Sequence, residues 1–319
     1  MDFSRRQFLL GISLAAAGPP ARIVKIGALT ESWGPTPMII GLRDGLRDLG
    51  YREDEHFALG VRFTEGKAGE LPAAARDLVR HQVDIIVTSE GANAALAAQA
   101  ATDRIPIVFI GSGDPVGQGL VQSFARPGGN ITGVSDLDVE LVPKRMQLFR
   151  ELTPGLKRIL VPYDASNAQA VALVGVHRDA ARQLGLTLVE RPLRSEAEAR
   201  ATILGLRKGA ADGIVSLRFL SLNISGFILE IAPRGPLPTM FHVPFFVERG
   251  GLASYSANTY ELGKQGARLV DKIINGAKPA DLPVEQPTTF EFVLNLKTAK
   301  ALGLSVPQSV LGRADRIIQ

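Results

Sequence analysis

The chain has 319 residues, 45% apolar and 21% charged, with a net charge of +4 and no cysteine. This length suits two cores rather than one, and the composition excludes a disordered chain. Without cysteine there are no disulfides, thiolate metal sites, cysteine nucleophile or lipidated cysteine anchor, and the scattered Lys and Arg outline no nucleic-acid surface.

Residues 1–21 read as an export leader. Arg5-Arg6 followed by Gln7-Phe8-Leu9, a short apolar stretch and an alanine run resemble a twin-arginine signal. The apolar stretch falls short of the about 20 residues a membrane span needs. A periplasmic location without a lipid anchor is therefore expected, and cleavage after Ala17 or Ala21 fits equally.

From there strands and helices alternate. Strands are predicted over 23–29, 56–63, 83–87 and 105–110, with helices over 38–49, 71–81 and 92–101 between them. This β-α-β-α-β-α-β order predicts a doubly wound parallel sheet. A strand at 130–134 and a polar stretch at 135–140 read as a crossover into a second domain. Helices then fit 141–152, 168–184, 196–207 and 222–232, and strands fit 158–161, 187–191, 213–217 and 237–241. Ser195 and Glu198 form a capping-box pattern at the third of these helices. A strand at 252–255, a helix at 260–274, a proline-rich connector at 279–287, a strand at 290–295 and a helix at 296–302 complete the chain. The expected fold class is α/β, with two doubly wound parallel-sheet domains joined by hinge crossovers. The first domain comprises 22–134 and 255–287, and the second 135–254 and 288–319.

The segment 105–120, IPIVFIGSGDPVGQGL, runs from a buried strand into a glycine-rich loop at the carboxyl edge of a sheet, where open α/β sheets bind ligands. Its glycine spacing misses the dinucleotide fingerprint. Pro115 removes a backbone N–H, and Asp114 would repel a pyrophosphate. There is no P-loop, no G-x-S-x-G elbow and no H-E-x-x-H. His56, His81, His177 and His242 have no ligand spacing and read as packing or surface residues. Asp136 and Asp138 read as solvated loop carboxylates. No catalytic residue, metal or cofactor is expected. Binding in a cleft between domains is what remains, with helix N-termini at Ser89 and Gly91 and at Ser112 and Gly113 for a carboxylate. Asp114 would take an ammonium group, and Trp33 and Tyr163 would stack on an apolar or aromatic part. Ser89 fits a simple helix cap equally, and Asp114-Pro115 a simple turn.

The run IPIVFIGSGDPVGQGLVQSFARPGGNITGVS resembles a signature of ABC-transporter substrate-binding proteins of the tryptophan/tyrosine-binding type. GGLASYS, LVDKIINGAKPADLPVEQPTTFEFVLNLKTAKALGL and VPQSVLGRAD extend the resemblance over nearly the whole chain from Ile23. It implies a type I periplasmic-binding fold with three hinge crossings, acting as a monomer. It also implies delivery of a small solute, such as an amino acid or aromatic zwitterion, to an ABC permease and its ATPase. Carried onto this chain, the pocket would use the loops 30–33, 88–93, 111–114, 162–167 and 217–220, with 241–242 beside them. Ser32, Trp33, Ser89, Gly91, Asn93, Ser112, Gly113, Asp114, Tyr163, Asn167, Arg218 and Phe241 are the ligand-binding candidates. The chain departs from the family pattern at Ser256, at Tyr260-Glu261, at Glu90 and at Arg218, which bears on the ligand rather than the fold. A ligand-sensing domain for a membrane signalling partner, or an enzyme on the same architecture, is the alternative.

Overall fold

The computed structural model describes residues 22–207, 209–219, 221–232 and 237–319. The expected leader, 1–21, and position 220 of an expected pocket loop lie outside the described residues.

The first lobe runs β1 (Val24–Thr30), α1 (Pro37–Asp48), β2 (Phe57–Phe63), α2 (Leu71–Arg80), β3 (Ile85–Ser89), α3 (Ala92–Ala101), β4 (Ile107–Ser112) and β5 (Ile131–Ser135). Its strands lie in the order β2-β1-β3-β4-β5, all parallel. Ile85, Val87, Val108 and Ile110 pack with Met38, Leu42 and Leu46 of α1 on one face. Ile86, Ile107 and Phe109 pack with Leu71, Leu78 and Ala95 of α2 and α3 on the other. Burial on both faces explains why these strands read as unbroken apolar runs.

The second lobe continues with α4 (Val142–Leu152), β6 (Arg158–Asp164), α5 (Ala168–Gln183), β7 (Thr187–Leu193), α6 (Glu196–Leu204), β8 (Gly213–Val215), α7 (Ile224–Ile231), β9 (Thr239–Phe241), α8 (Pro244–Glu248) and β10 (Ala253–Ala257). Helix α9 (Thr259–Ile274) then packs on the first lobe, before β11 (Phe290–Asn295), α10 (Leu296–Ala301), α11 (Gln308–Leu311) and β12 (Arg316–Ile318) return to the second. The second sheet has the order β12-β11-β10-β9-β8-β6-β7. Asparagine caps open three helices: Asn167 on α5, Asn258 on α9 and Asn295 on α10. The Ser195 hydroxyl accepts from the Glu198 N–H at 3.2 Å, and the Glu198 carboxylate accepts from the Arg194 N–H at 2.8 Å. The box therefore closes one residue upstream of its usual form.

Two details differ from the expected all-parallel sheet. Strand β11 runs antiparallel to β10. The reason is topological: the chain leaves β10 at its carboxyl end, builds α9 on the other lobe, and re-enters at that same end. In addition, β10 continues to Ala257 within the second sheet, so the second crossing falls at 258 rather than at 255. The crossings at 136–141, 258 and 285–289 lie side by side. The Ser135 N–H donates to Glu285 O and the Asn258 N–H to Thr289 O, each at 2.9 Å. Among the described residues no helix is long and apolar enough to cross a membrane.

The return of α9 to the first lobe depends on small residues. A Cβ at Gly41 of α1 would lie 2.0 Å from Tyr260 O, and one at Gly263 of α9 would lie 2.2 Å from Met38 O. Backbone therefore meets backbone, with no room to yield. Gly→Ala inside a helix ordinarily gains about 1 kcal/mol from propensity. Here overpacking, which costs about 1–3 kcal/mol, opposes that gain. Gly263→Ala should lower the urea midpoint, and a raised midpoint would show that the helices stand further apart.

Candidate functional site

The carboxyl ends of the strands of both sheets supply polar side chains that the protein does not leave apart. On the first lobe, β1 ends at Thr30 and leads to Glu31 and Ser32, β3 ends at Ser89 and leads to Glu90 and Gly91, and β4 passes Gly111 to Ser112. The β4–β5 register breaks between Ile110 and Ser112, where Gly111 has φ +83°. A residue with a Cβ is strained there. The second lobe contributes Arg218, just beyond β8.

Arg218 bridges the two lobes. Its Nη2 donates to Gly111 O at 2.9 Å, and its Nη1 lies 3.0 Å and 2.9 Å from the two carboxylate oxygens of Asp136. Only 14% of the side chain is exposed. The guanidinium fits closely against Gly113, where a side chain would crowd it, and stands at ordinary contact distance from Gly91. A Cβ at Gly113 would stand 2.9 Å from Nη1, and one at Gly91 would stand 4.0 Å from Nη2. Desolvation works against the charged guanidinium, but Asp136 and Asp138 overcome it and hold Arg218 above its ordinary pKa.

Asp138 extends the network into the hinge. Its Oδ1 accepts from Arg145 Nη2 at 2.8 Å, and Arg145 Nε donates to Tyr255 O at 3.0 Å. Both side chains are buried. Burial alone would raise the Asp138 pKa; the charges of Arg145 and Arg218 outweigh it and keep the carboxyl well below the usual range. The first crossing is thus pinned to α4 and to β10 at once. The solvated reading of Asp136 and Asp138 is corrected: both are ion-paired, and Asp138 is fully inside. Short-range polarity suggested a loop in water, and only the tertiary structure supplied two guanidinium groups.

The ligand-binding candidates fall into distinct groups. Arg218, Gly91 and Gly113 meet, as described. Ser32 is buried and donates to Gly34 O at 2.9 Å, and Asn93 Nδ2 donates to Glu31 Oε1 at 2.9 Å. Ser89 is buried and its hydroxyl has no partner among the described residues, as is also true of Thr88. Ser112 donates to Gln118 Oε1 at 2.5 Å. Trp33 is 64% exposed and lies over the Gly66 backbone. Tyr163 packs against the core of the second lobe, and the Asn167 side chain caps α5, accepting from the Gln169 and Ala170 N–H groups.

Two candidates stand outside the group. Phe241 is fully buried and stacks on Phe246 at 4.9 Å between ring centroids, so it belongs to the second-lobe core. Strand alternation turns its side chain inward while the strand end itself reaches the cleft. Asp114 is exposed, and its Oδ1 accepts from the Gly117 N–H at 2.8 Å, which makes it the turn-setting residue of its loop. The acids in the lobe-bridging position are Asp136, with Glu31 and Glu90 nearby. Glu90 adopts φ +68° ahead of Gly91, and its Oε2 accepts from Thr30 Oγ1 at 3.1 Å. Burial raises its pKa, with Thr30 and Arg218 opposing and Glu31 adding to the rise. Burial also raises Glu31, and its bond from Asn93 opposes this. The departure from family pattern at Glu90 and Arg218 was the one signal in the sequence that marked them.

His242 and His177 are buried and neutral. Burial pushes His242 down to about 3, with the Arg145 and Arg218 charges assisting and Asp138 opposing. Burial pushes His177 down to about 4. The unfolded chain would titrate near the ordinary value of about 6.5. Each histidine therefore contributes stability that is complete above about pH 6.5 and is lost as pH falls toward the folded value, at about 1.4 kcal/mol per pH unit. Urea unfolding at pH 7, 6 and 5 should show this loss, and His242→Asn should flatten the slope by about one histidine's share. An unchanged slope would place the His242 ring in contact with water.

Residues 25–318 match the family described as ABC transporter substrate binding protein. The tyrosine-binding protein of Clostridioides difficile strain R20291 is 27% identical over 266 residues, covering 83% of this chain and 76% of that one. A solved conserved domain protein from Vibrio cholerae superposes with a TM-score of 0.85 at 29% identity, covering 93% of this chain and all of that one. A solved ABC domain in complex with L-Trp from Streptococcus pneumonia gives 0.83 at 29%, with the same coverage. The two-lobed α/β architecture is that of type I periplasmic binding proteins. The match over nearly the whole length, on a fold whose two sheets meet at Arg218, makes this chain a member of the ABC transporter substrate-binding protein family.

Proposed function

We propose that the protein is the solute receptor of an ABC importer, taking a small amino-acid-like solute between the lobes and closing on it about the three crossings. The observation that carries this reading is Arg218 of the second lobe resting on Gly111 O and Asp136, which brings the carboxyl edges of the two sheets to a common point. Ser32, Ser89, Gly91, Asn93, Ser112 and Gly113 line the first-lobe side in this reading, with Trp33 at its lip. Tyr163, Asn167 and Arg218 belong to the second-lobe side. The two closing bodies are 22–134 with 258–287 and 135–257 with 288–319, the second boundary standing at the end of β10 rather than at 255. The L-Trp complex and the tyrosine-binding relative support an amino acid with an aromatic side chain as ligand. The family is one of binding proteins rather than enzymes. Binding needs no covalent step, only differential affinity for the closed arrangement. Family membership and the twin-arginine pattern of residues 4–9 support a monomer exported to the periplasm that delivers its solute to a permease and its ATPase.

A thermal-shift screen of L-amino acids against the mature chain tests the reading. A true ligand at about a hundred times its Kd should stabilise the protein by about 2.7 kcal/mol. Small-angle scattering should then show a smaller radius of gyration in its presence, and the ligand should be recovered unchanged. Conversion of the hit into a product would replace the receptor with an enzyme.

A further inference from the structure

Every atom of the contact between Arg218 and the first lobe belongs to the protein, and each end of it is anchored to its own sheet. Arg218 follows β8, and the Ser216 N–H just before it donates to Met240 O of β9 at 2.9 Å, so its backbone travels with the second lobe. Both acceptors travel with the first. Gly111 lies within β4, and the Asp136 N–H donates to Ser112 O at 3.2 Å. One residue upstream, the Ser135 hydroxyl donates to that same oxygen at 2.9 Å. The Asp136 carboxylate is thus fixed to the end of β4, although it stands at the start of a crossing. Beyond the crossings, among the described residues, Arg218 is the one side chain of the second lobe that donates a hydrogen bond to the first. The contact is built to hold. One planar group spans a carboxylate through Nη1, at 3.0 and 2.9 Å, and a carbonyl through Nη2, at 2.9 Å. Glu90 of the first lobe adds attraction, and Asp138 stands 4.0 Å away. Both paired side chains are largely withdrawn from solvent, so salt screens them little.

We propose that Arg218 is a latch between the lobes: in solute-free protein it holds a share of the molecules with the lobes together, and solute closes the remainder. This rests on the lobes turning about the crossings, the motion that the receptor reading also uses. The two arrangements differ in what meets the guanidinium. With the lobes together it has Asp136 and Gly111 O; with the lobes apart it has water, and the Asp136 carboxylate must be rehydrated as well. The free energy of closure is part of any apparent affinity for the closed arrangement, which scales with the fraction of competent molecules. The latch therefore strengthens capture through the closing equilibrium, whatever the solute.

Distances between two spin labels, read by pulsed electron paramagnetic resonance, test this. The chain has no cysteine, so Val116→Cys and Val171→Cys place the labels alone. Both positions are exposed, one beyond β4 on the first lobe and the other in the first turn of α5 on the second. The mature labelled chain is unfolded in urea and refolded, which strips any solute carried through purification. A short-distance population should be present in this solute-free protein. Arg218→Ala should deplete it in favour of longer distances, and Asp136→Asn should do the same. Circular dichroism reports whether each variant has refolded; should Arg218→Ala fail to, Asp136→Asn reads the same contact from the other lobe. Solute-free protein with long distances alone overturns the inference. So does a short population that persists undiminished in a refolded Arg218→Ala or Asp136→Asn. Either result leaves the receptor reading to its own ligand screen, because solute binding is measured there and not here.

Discussion

A guanidinium group taken out of water has to be met by negative charge and by acceptors, and Arg218 meets both on the opposite lobe. Asp136 supplies the charge and Gly111 O the acceptor. The rest of the cleft follows from satisfying that group. Gly113 leaves space for it, and the β4–β5 register breaks at Gly111, whose carbonyl accepts its bond. Asp138 stands 4.0 Å behind it and passes the demand on to Arg145. Removing one partner of a buried pair costs more than the pair contributes, because the remaining charge stays buried. Complementarity of charge therefore joins the lobes at the cleft, alongside the apolar contacts that Ala257 and Phe290 of the second sheet make with the first-lobe core.

This arrangement places the electrostatics at the hinge. The first crossing leaves β5 through Asp136 and Asp138, and Leu137 between them has φ +53°. A non-glycine residue in that conformation is held by its surroundings. Here the two neighbouring ion pairs do the holding. Arg145 also reaches Tyr255 O on β10, close to the second crossing. Motion between lobes must then pass through a segment whose charges are already paired inside the protein.

Much of the fold was legible in the pattern of apolar runs. Strands such as β3 and β4 are buried on both faces, so their central residues Ile85–Val87 and Ile107–Ile110 form unbroken apolar runs and the signal is clear. Elements α8, α11 and β12 were not legible, since three to five residues carry too few periods to read. Nor was the direction of β11, which depends on where α9 sits and not on its own residues. At the site, the strand-end rule and the family pattern named Arg218, Gly91 and Gly113, and the structure brings these three together. Phe241 was misplaced because a strand end lies at the cleft while alternate side chains do not. Asp114 carries an ambiguous signal, because a carboxylate in a glycine-rich loop fits a ligand partner and an Asx turn equally, and in the structure its Oδ1 accepts from the Gly117 N–H.

By itself the sequence determined the class of the protein: two βα lobes, their crossings, and a family whose motifs run from one end of the fold to the other. These follow from local periodicity and from contiguous motifs, both of which survive without knowledge of distant contacts. What only the tertiary structure decided is which charges pair with one another inside the protein. Asp136 lies 82 residues from Arg218, and Asp138 lies 7 from Arg145. Whether a carboxylate is solvated, paired or left waiting is a property of its distance to those partners in space. Coulomb interaction and desolvation depend on that distance and on burial, neither of which is written in the order of residues.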